Sequence, residues 1–317
     1  MNLVYLGSGE FGIPCLDALK ASSHRIALAV TQPANPAGRG RKPQPTPVAQ
    51  WAAAHAVPFA ETDSVNSPEM VTRIADSRPE VLVVIAFGQK IGPELVKLPA
   101  KGAINVHASL LPKYRGAAPI NWAILRGETH TGSSIITLAE KIDAGDILAQ
   151  SETAIGPLAT AGELHDRLAQ LAAPLLLETL NRIDTGMATY TKQNEAEVTY
   201  APKLRKADGL LDFTEPAESL ALKIRGFWPW PGAAAGFVSQ QTQKSARIVI
   251  ALAEVISATG SASLPPGTFD EDHNVVCGQG RLRILKLKPA GSALMDFKAF
   301  VNGWRVQPGD RLAKIEE

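Results

Sequence analysis

The chain has 317 residues, enough for two domains with sizeable cores. It is 45% hydrophobic and 20% charged with a formal net charge of +1, which excludes a disordered chain and a wholesale polyanion binder. Its two cysteines, Cys15 and Cys277, lie far apart and exclude a disulfide framework or a cysteine metal site.

A reducing, cytoplasmic setting is expected from that cysteine usage. MNLVYLGSG opens directly on strand-like residues, with no basic stretch ahead of an apolar core, so no signal peptide is expected. No apolar run approaches the ~20 residues that span a bilayer, and no membrane partner is expected.

Residues 3–6 read as an apolar strand, GSGEFG as a glycine-rich turn, IPCLDALKAS as a helix and residues 26–30 as a second strand. That succession opens a doubly wound α/β fold. Gly7, Gly9 and Gly12 also carry the spacing of a dinucleotide fingerprint, so an NAD(P) oxidoreductase is a candidate. The second half of that fingerprint is missing. The second strand ends in Val30-Thr31-Gln32-Pro33, with no acid to hold a ribose hydroxyl. The alternative is a tight turn that lets the helix close on the sheet, or another ligand at the same switch point.

PANPAGRGRKPQPTP, residues 33–47, holds five prolines and the cluster Arg39, Arg41, Lys42. No helix or strand is expected at this density of proline. A long basic loop offers point charges to phosphates with little base specificity; the alternative is a solvated surface loop. Residues 48–55 read as a helix. Residues 67–77 read as another, with Ser67 as N-cap and Pro68 at its first position. Residues 81–87 are continuously apolar, as in a central parallel strand buried on both faces. They end in Phe87-Gly88-Gln89, where open α/β sheets bind ligands.

GAINVHASLLPKYRG, residues 102–116, comes next. Its short strand presents Asn105 and His107 two positions apart, hence on one face. A carboxamide and an imidazole side by side suit acyl or formyl transfer. The amide hydrogen-bonds an oxyanion, and the imidazole moves protons near neutral pH. The alternative is a strand end whose polar groups are satisfied by turn backbone.

Residues 119–126 read as a short helix, and 133–138 and 147–154 as strands. EKIDAGDIL between those strands is a turn carrying Asp143 and Asp146. A carboxylate there can orient the histidine, as a third group orients the base in other catalytic sets. Residues 163–183 form an amphipathic helix with Leu164, Leu168, Leu171, Leu175 and Leu176 on its stripe. His165 within it reads as structural or exposed. Residues 186–205 are polar and read as a linker. Beyond them, β-rich runs at 247–251, 275–277 and 281–288 are separated by Gly, Pro and Ser, which suggests a small barrel or sandwich. Residues 296–301 read as a short helix. Trp228-Pro229-Trp230-Pro231 reads as a rigid patch at a domain contact. Charge is mildly uneven: 15 Lys+Arg against 12 Asp+Glu from Tyr200 onward, and 17 against 19 before it.

NVHASLLPKYRGAAPINWAI resembles the signature of the folate-dependent formyltransferases, with Asn105, His107 and Asp143 at that family's Asn, His and Asp positions. TQPANPAGRGRK resembles its basic loop, and IRGFWPWPGA and LKPAGSALMDFKAFVNG resemble segments of its C-terminal domain. The resemblance covers nearly the whole chain. It implies a Rossmann-like, doubly wound, mostly parallel sheet plus a C-terminal all-β OB-like barrel. The implied division is a catalytic domain over 1–186, a linker over 187–205 and a tRNA-binding barrel domain over 206–317.

The implied reaction moves the formyl group of 10-formyltetrahydrofolate, as donor substrate and with no metal, to the amine of methionine on initiator methionyl-tRNA. A monomer is expected. Asn105, His107 and Asp143 are the implied catalytic set. Folate contacts are implied for the backbone at Ala86, Phe87, Gly88 and Gln89 and for Ser109, Leu110, Leu111 and Pro112. Contacts to tRNA are implied for Arg39, Arg41 and Lys42. On this reading Gly7-Ser8-Gly9 is a strand–helix turn that binds no dinucleotide. Phe87 stands where Tyr is common and Tyr114 where Trp is common; both keep the ring. A formyltransferase acting on an amino-sugar nucleotide shares the catalytic residues and stays open. A pure nucleic-acid-binding module leaves the Asn–His–Asp set unexplained.

Overall fold

A computed structural model describes residues 1–37, 42–242, 244–256 and 264–315. Contacts group these into two units. The first holds Met1–Gly116, Thr131–Thr153 and His165–Tyr200, and the second Ala117–His130, Ala154–Leu164 and Ala201–Glu317.

From the N-terminus the chain forms β1 (Asn2–Gly7), α1 (Ile13–Ala21), β2 (Arg25–Thr31), β3 (Asn35–Ala37), β4 (Lys42–Gln44), α2 (Pro47–Ala54), β5 (Phe59–Glu61) and α3 (Pro68–Asp76). It continues through β6 (Val81–Ile85), α4 (Pro93–Lys97), β7 (Ala103–His107), β8 (Arg115–Gly116), α5 (Pro119–Leu125), β9 (His130–Thr137), β10 (Ile147–Ala154) and α6 (Ala161–Asp184). Seven of these strands make one sheet in the order β10-β9-β7-β6-β1-β2-β5. β5, β2, β1, β6 and β7 run parallel, and β9 is antiparallel to β7. The chain winds outward from β1 on one side and resumes at β6 on the other. The strand order therefore reverses at β1 and β6, and the crevice at their C-terminal ends is where such sheets take ligands.

β1, β2 and β6 are covered on both faces, which is why they read as unbroken apolar runs. Val4, Leu6, Leu28, Val30, Leu82 and Val84 alternate onto one face, against Met70 and Ile74 of α3 and Leu95 of α4. Each such aliphatic side chain contributes about 1.5–3 kcal/mol on full burial. α3 begins where its spacing predicts: the Ser67 hydroxyl accepts from the Met70 N–H at 3.3 Å, and Pro68 follows. The glycine turn after β1 has a packing reason. A Cβ on Gly12 would stand 1.8 Å from the hydroxyl of buried Tyr5, and one on Gly7 would stand 2.6 Å from its ring.

The proline-rich stretch departs from expectation. β3 and β4 pair antiparallel, with Asn35 opposite Gln44, Pro36 opposite Pro43 and Ala37 opposite Lys42. Facing prolines have no N–H to give, so they occupy a pair that exchanges no ladder bonds, and the hairpin survives them. Arg39 and Arg41 lie outside the described residues.

The C-terminal part comprises β11 (Tyr200–Ala201), α7 (Ala217–Phe227), β12 (Ala233–Val238), β13 (Ser245–Ile256), β14 (Val275–Val276), β15 (Arg281–Pro289), β16 (Met295–Asp296), α8 (Phe297–Trp304) and β17 (Arg311–Ala313). Antiparallel strands run in the order β14-β15-β13-β12-β17, with β16 beside β15. The ring closes through two bridges: Thr268 meets Arg311 of β17, and Phe269 meets Val275 of β14. This is an all-β barrel. Long β13 shifts register between Ile250 and Ala253, an irregularity of the kind that bends a strand around such a barrel.

Neither α7 nor β12 stands out in the sequence. α7 packs on α5 within the second unit: Asn121 Nδ2 donates to the Gly226 carbonyl at 2.7 Å, and a Cβ on Gly226 would come within 2.9 Å of the Leu125 side chain. The Trp228 carbonyl accepts from the Gly162 N–H at 3.0 Å, while the Trp230 ring is exposed. No helix among the described residues is long and apolar enough to cross a membrane.

Cys15 and Cys277 are free and buried, and burial pushes both thiols up to about 12. Almost no thiolate exists near pH 8, so an alkylating reagent should label neither until the chain is unfolded. Fast labelling of either in native buffer would contradict this packing.

Candidate active site

β7 ends at the crevice, next to β6. Its period of two puts Asn105 and His107 on one face, and β9 fixes their register, Asn105 opposite Ile136 and His107 opposite Ser134. His107 is buried and Asn105 half-buried. Asp143 reaches them from the turn between β9 and β10. It holds φ +55°, in the left-handed region that Asp enters more readily than most residues.

One carboxylate serves both partners. Asp143 Oδ1 accepts from Asn105 Nδ2 at 3.4 Å, and Oδ2 lies 3.6 Å from His107 Nδ1. Oδ2 also accepts from the Gly116 N–H at 2.8 Å. The other ring nitrogen, His107 Nε2, lies 2.9 Å from the Tyr114 carbonyl oxygen. A carbonyl only accepts, so Nε2 is the donor there. The carboxamide has two N–H donors, and the Asp143 bond uses one. An amide donor, an imidazole and a half-buried carboxylate at a sheet crevice form a set able to stabilise an oxyanion and move a proton.

The expected folate segments flank this set. Residues 86–89 follow β6, with Ala86 at φ +47° and Gly88 at φ +80°, both exposed. The Phe87 ring is 2% exposed and sits in the core under the sheet. The Gln89 amide is committed to its own surroundings, accepting from the Val65 N–H at 2.8 Å and donating to the Thr62 carbonyl at 2.9 Å. This turn therefore presents backbone rather than side chains. Residues 109–112 follow β7. The Ser109 hydroxyl donates to the Lys113 carbonyl at 2.6 Å, and Ser109 and Leu111 are buried. Leu110 and Pro112 are half-buried and are the side chains this segment offers.

Two supports of that segment are invisible in its motif. Ser134 Oγ accepts from the Leu111 N–H at 3.0 Å and donates to the Ser109 carbonyl at 2.6 Å. Gln150 Nε2 donates to the Leu111 carbonyl at 2.9 Å and to Ser134 Oγ at 2.8 Å. Their only sequence signal is a polar residue inside a strand of β-formers. Gln193 and Thr199, in the stretch expected as a linker, likewise hydrogen-bond to the Asp143 turn and to Tyr114. Lys42 opens β4, while Arg39 and Arg41 are outside the described residues, so the basic cluster has no described side-chain geometry. His165 is peripheral. It packs edge-on against Phe11 at 5.3 Å and pairs with Asp166 at 2.9 Å.

Comparison with known proteins bears on this geometry. Residues 1–180 match the family described as formyl transferase, and residues 203–305 match the formyl transferase C-terminal domain. The methionyl-tRNA formyltransferase of Moorella thermoacetica is 39% identical over 315 residues, covering 99% of this chain and 100% of that one. That of Geobacter metallireducens is 38% identical over 312 residues, covering 98% of each. Among solved structures, HypX from Aquifex aeolicus in complex with tetrahydrofolic acid superposes with a TM-score of 0.63 at 14% identity, over 95% of this chain and 47% of that one. This chain thus spans about half the length of HypX. WlaRD, a sugar 3N-formyl transferase, superposes with a TM-score of 0.63 at 16% identity, over 92% of this chain and 99% of that one. At those identities the likeness is one of fold. The sequence matches reach across both units and include the strand that carries Asn105 and His107, and on them the chain belongs to the formyl transferase family.

Proposed function

We propose that this chain transfers the formyl group of 10-formyltetrahydrofolate to the amino group of methionine on initiator methionyl-tRNA. The observation that carries the reading is the end-to-end match to methionyl-tRNA formyltransferases in a chain whose Asn105, His107 and Asp143 converge. The methionine amine attacks the formyl carbon, and the formyl oxygen takes up the displaced electron pair. That pair then returns, and the bond from the formyl carbon to the folate nitrogen breaks. The amine loses one proton and the folate nitrogen gains one.

Asn105 Nδ2 donates to the oxyanion. His107 relays the proton, with Asp143 fixing its ring. The backbone of Ala86, Phe87, Gly88 and Gln89, with Ser109, Leu110, Leu111 and Pro112, forms the folate side of the crevice. Residues 1–186 act as the catalytic domain, 187–205 join the domains, and 206–317 serve as the tRNA-binding barrel domain. Arg39, Arg41 and Lys42 supply charge for the tRNA acceptor end, and the chain works as a cytoplasmic monomer without a metal.

The test is to mix the protein with methionyl-tRNA and 10-formyltetrahydrofolate and look for formyl-methionine. Formylation of an amino-sugar nucleotide and not of the tRNA would overturn the reading. A phosphate contact predicts that Arg39→Ala lowers kcat/KM for charged tRNA by about tenfold, with a shallower salt dependence. Unchanged turnover with charged tRNA would remove the loop from the tRNA contact.

A further inference from the structure

We infer that the stretch from residue 193 to 199 positions His107 from both sides: Gln193 fixes the carboxylate at one ring nitrogen, and Thr199 fixes the carbonyl at the other. The inference rests on the reading of His107 as the proton-relaying residue. Gln193 and Thr199 touch no reacting atom and are positioning residues.

On the Asp143 side, Gln193 Nε2 donates to the Asp143 carbonyl at 2.7 Å and to the Gly145 carbonyl at 2.8 Å. Both protons of the amide are therefore spent on one turn. Gln193 Oε1 accepts from Arg115 Nε at 3.0 Å and from Nη2 at 2.8 Å. The Arg115 side chain is 4% exposed and also pairs with Glu195 at 2.7 Å. A guanidinium so buried needs its acceptors, so it holds the Gln193 amide in one orientation. Asp143 sits at φ +55°, a conformation that persists only where its surroundings impose it. The turn is also closely packed, since a Cβ on Gly145 would stand 1.7 Å from the Thr137 carbonyl oxygen.

On the opposite side, the acceptor for His107 Nε2 is the Tyr114 carbonyl, from a residue at φ +64°. Thr199 holds that backbone twice. Its hydroxyl accepts from the Tyr114 N–H at 2.9 Å, and its carbonyl accepts from the Arg115 N–H at 2.9 Å. The imidazole thus lies between two oxygens that one stretch of chain sets in place. Outer partners of this kind orient a reactive side chain, and misplacement by about 1 Å costs on the order of 10²-fold in rate.

The test uses the full chain with four variants: Gln193→Met, Gln193→Glu, Thr199→Val and Thr199→Ser. kcat and KM are measured for both substrates, and the His107 ring is followed by nitrogen-15 NMR without substrates. Gln193→Met keeps the volume and loses every bond, so kcat should fall about 10²-fold with both KM values within about threefold. Gln193→Glu keeps an acceptor for Arg115 but loses the donor to the turn, and should fall as far. Thr199→Val should lower kcat, and Thr199→Ser should restore it. The His107 ring signals should move in Gln193→Met and Thr199→Val and return in Thr199→Ser. Wild-type kcat and unmoved ring signals in Gln193→Met and Thr199→Val would overturn the inference. A fall in kcat that follows only the folded fraction, with ring signals unmoved, would overturn it too. A wild-type protein that forms no formyl-methionyl-tRNA would instead defeat the functional reading, while the ring signals still decide the positioning.

Discussion

Asn105→Ala lowers kcat for formyl transfer by about 10²–10³-fold, and His107→Ala by about 10²–10⁴-fold, while the folate donor still binds. The first figure is the usual cost of removing one donor from a developing oxyanion. An alanine at Asn105 leaves that charge without its amide and also removes the 3.4 Å bond to Asp143. The second is the usual range for a positioned acid–base group. The two effects should not add in the double variant, because both residues share Asp143. Binding is measured by calorimetry with the folate donor and turnover by release of formyl-methionine from the tRNA. The expected pattern is a collapse of kcat at nearly constant donor affinity. Wild-type-like turnover in either single variant would remove that residue from the chemistry. Loss of donor affinity to the same degree as kcat would make it a folate contact instead.

Phe237→Ala destabilises the barrel by about 3–5 kcal/mol, the range for deleting a buried aromatic ring. Phe237 is fully buried in β12, opposite Ala246 of β13 and Leu312 of β17. Its ring meets Phe269 at 6.4 Å, Phe300 at 5.3 Å and Trp304 at 5.9 Å between centroids. Those partners come from the closing segment and from α8. The cavity thus opens where the barrel is completed, and strands held by a ring closed through two bridges cannot easily collapse into it. Amide hydrogen exchange of β12 and β13 should accelerate, and the denaturant midpoint of the second unit should fall. Val255→Ala, in β13 at 37% exposure, is the control and should change stability by less than about 0.5 kcal/mol. Equal effects from the two substitutions would show that the aromatic cluster does not hold the barrel.

Particular residues show how far the fold was legible. Ser67 and Pro68 announced α3 because a helix start is a local event, one hydroxyl reaching one N–H. The unbroken run that became β6 announced a central strand because both of its faces are covered. β3 and β4 were missed because proline density argues against strands on average, whereas facing prolines in a pair without ladder bonds cost the hairpin nothing. β12, AAAGFV, was missed because alanine and glycine carry little β signal, and its neighbours on both sides supply its burial.

The same division runs through the site. Asn105 and His107 follow from the sequence alone, because two positions along a strand is one face, whatever the rest of the chain does. The same spacing suggests acyl or formyl transfer, beside the alternative of a strand end satisfied by turn backbone. The turn around Asp143 offered a carboxylate able to orient the histidine, but its place beside Asn105 and His107 came from the family resemblance, since no periodicity relates Asn105 to a residue 38 positions on. Tertiary structure alone decided what surrounds them. It turned the Phe87 ring into the core and committed the Gln89 amide to the loops beside it. It set Ser134 and Gln150 behind the segment after His107. It also brought Gln193 and Thr199, from a stretch with no pattern of its own, onto the backbone of Asp143 and Tyr114, the two residues whose oxygens flank the imidazole. Local geometry writes itself into spacing, but a hydrogen bond between distant segments depends on how the sheet is wound, and spacing carries no trace of that.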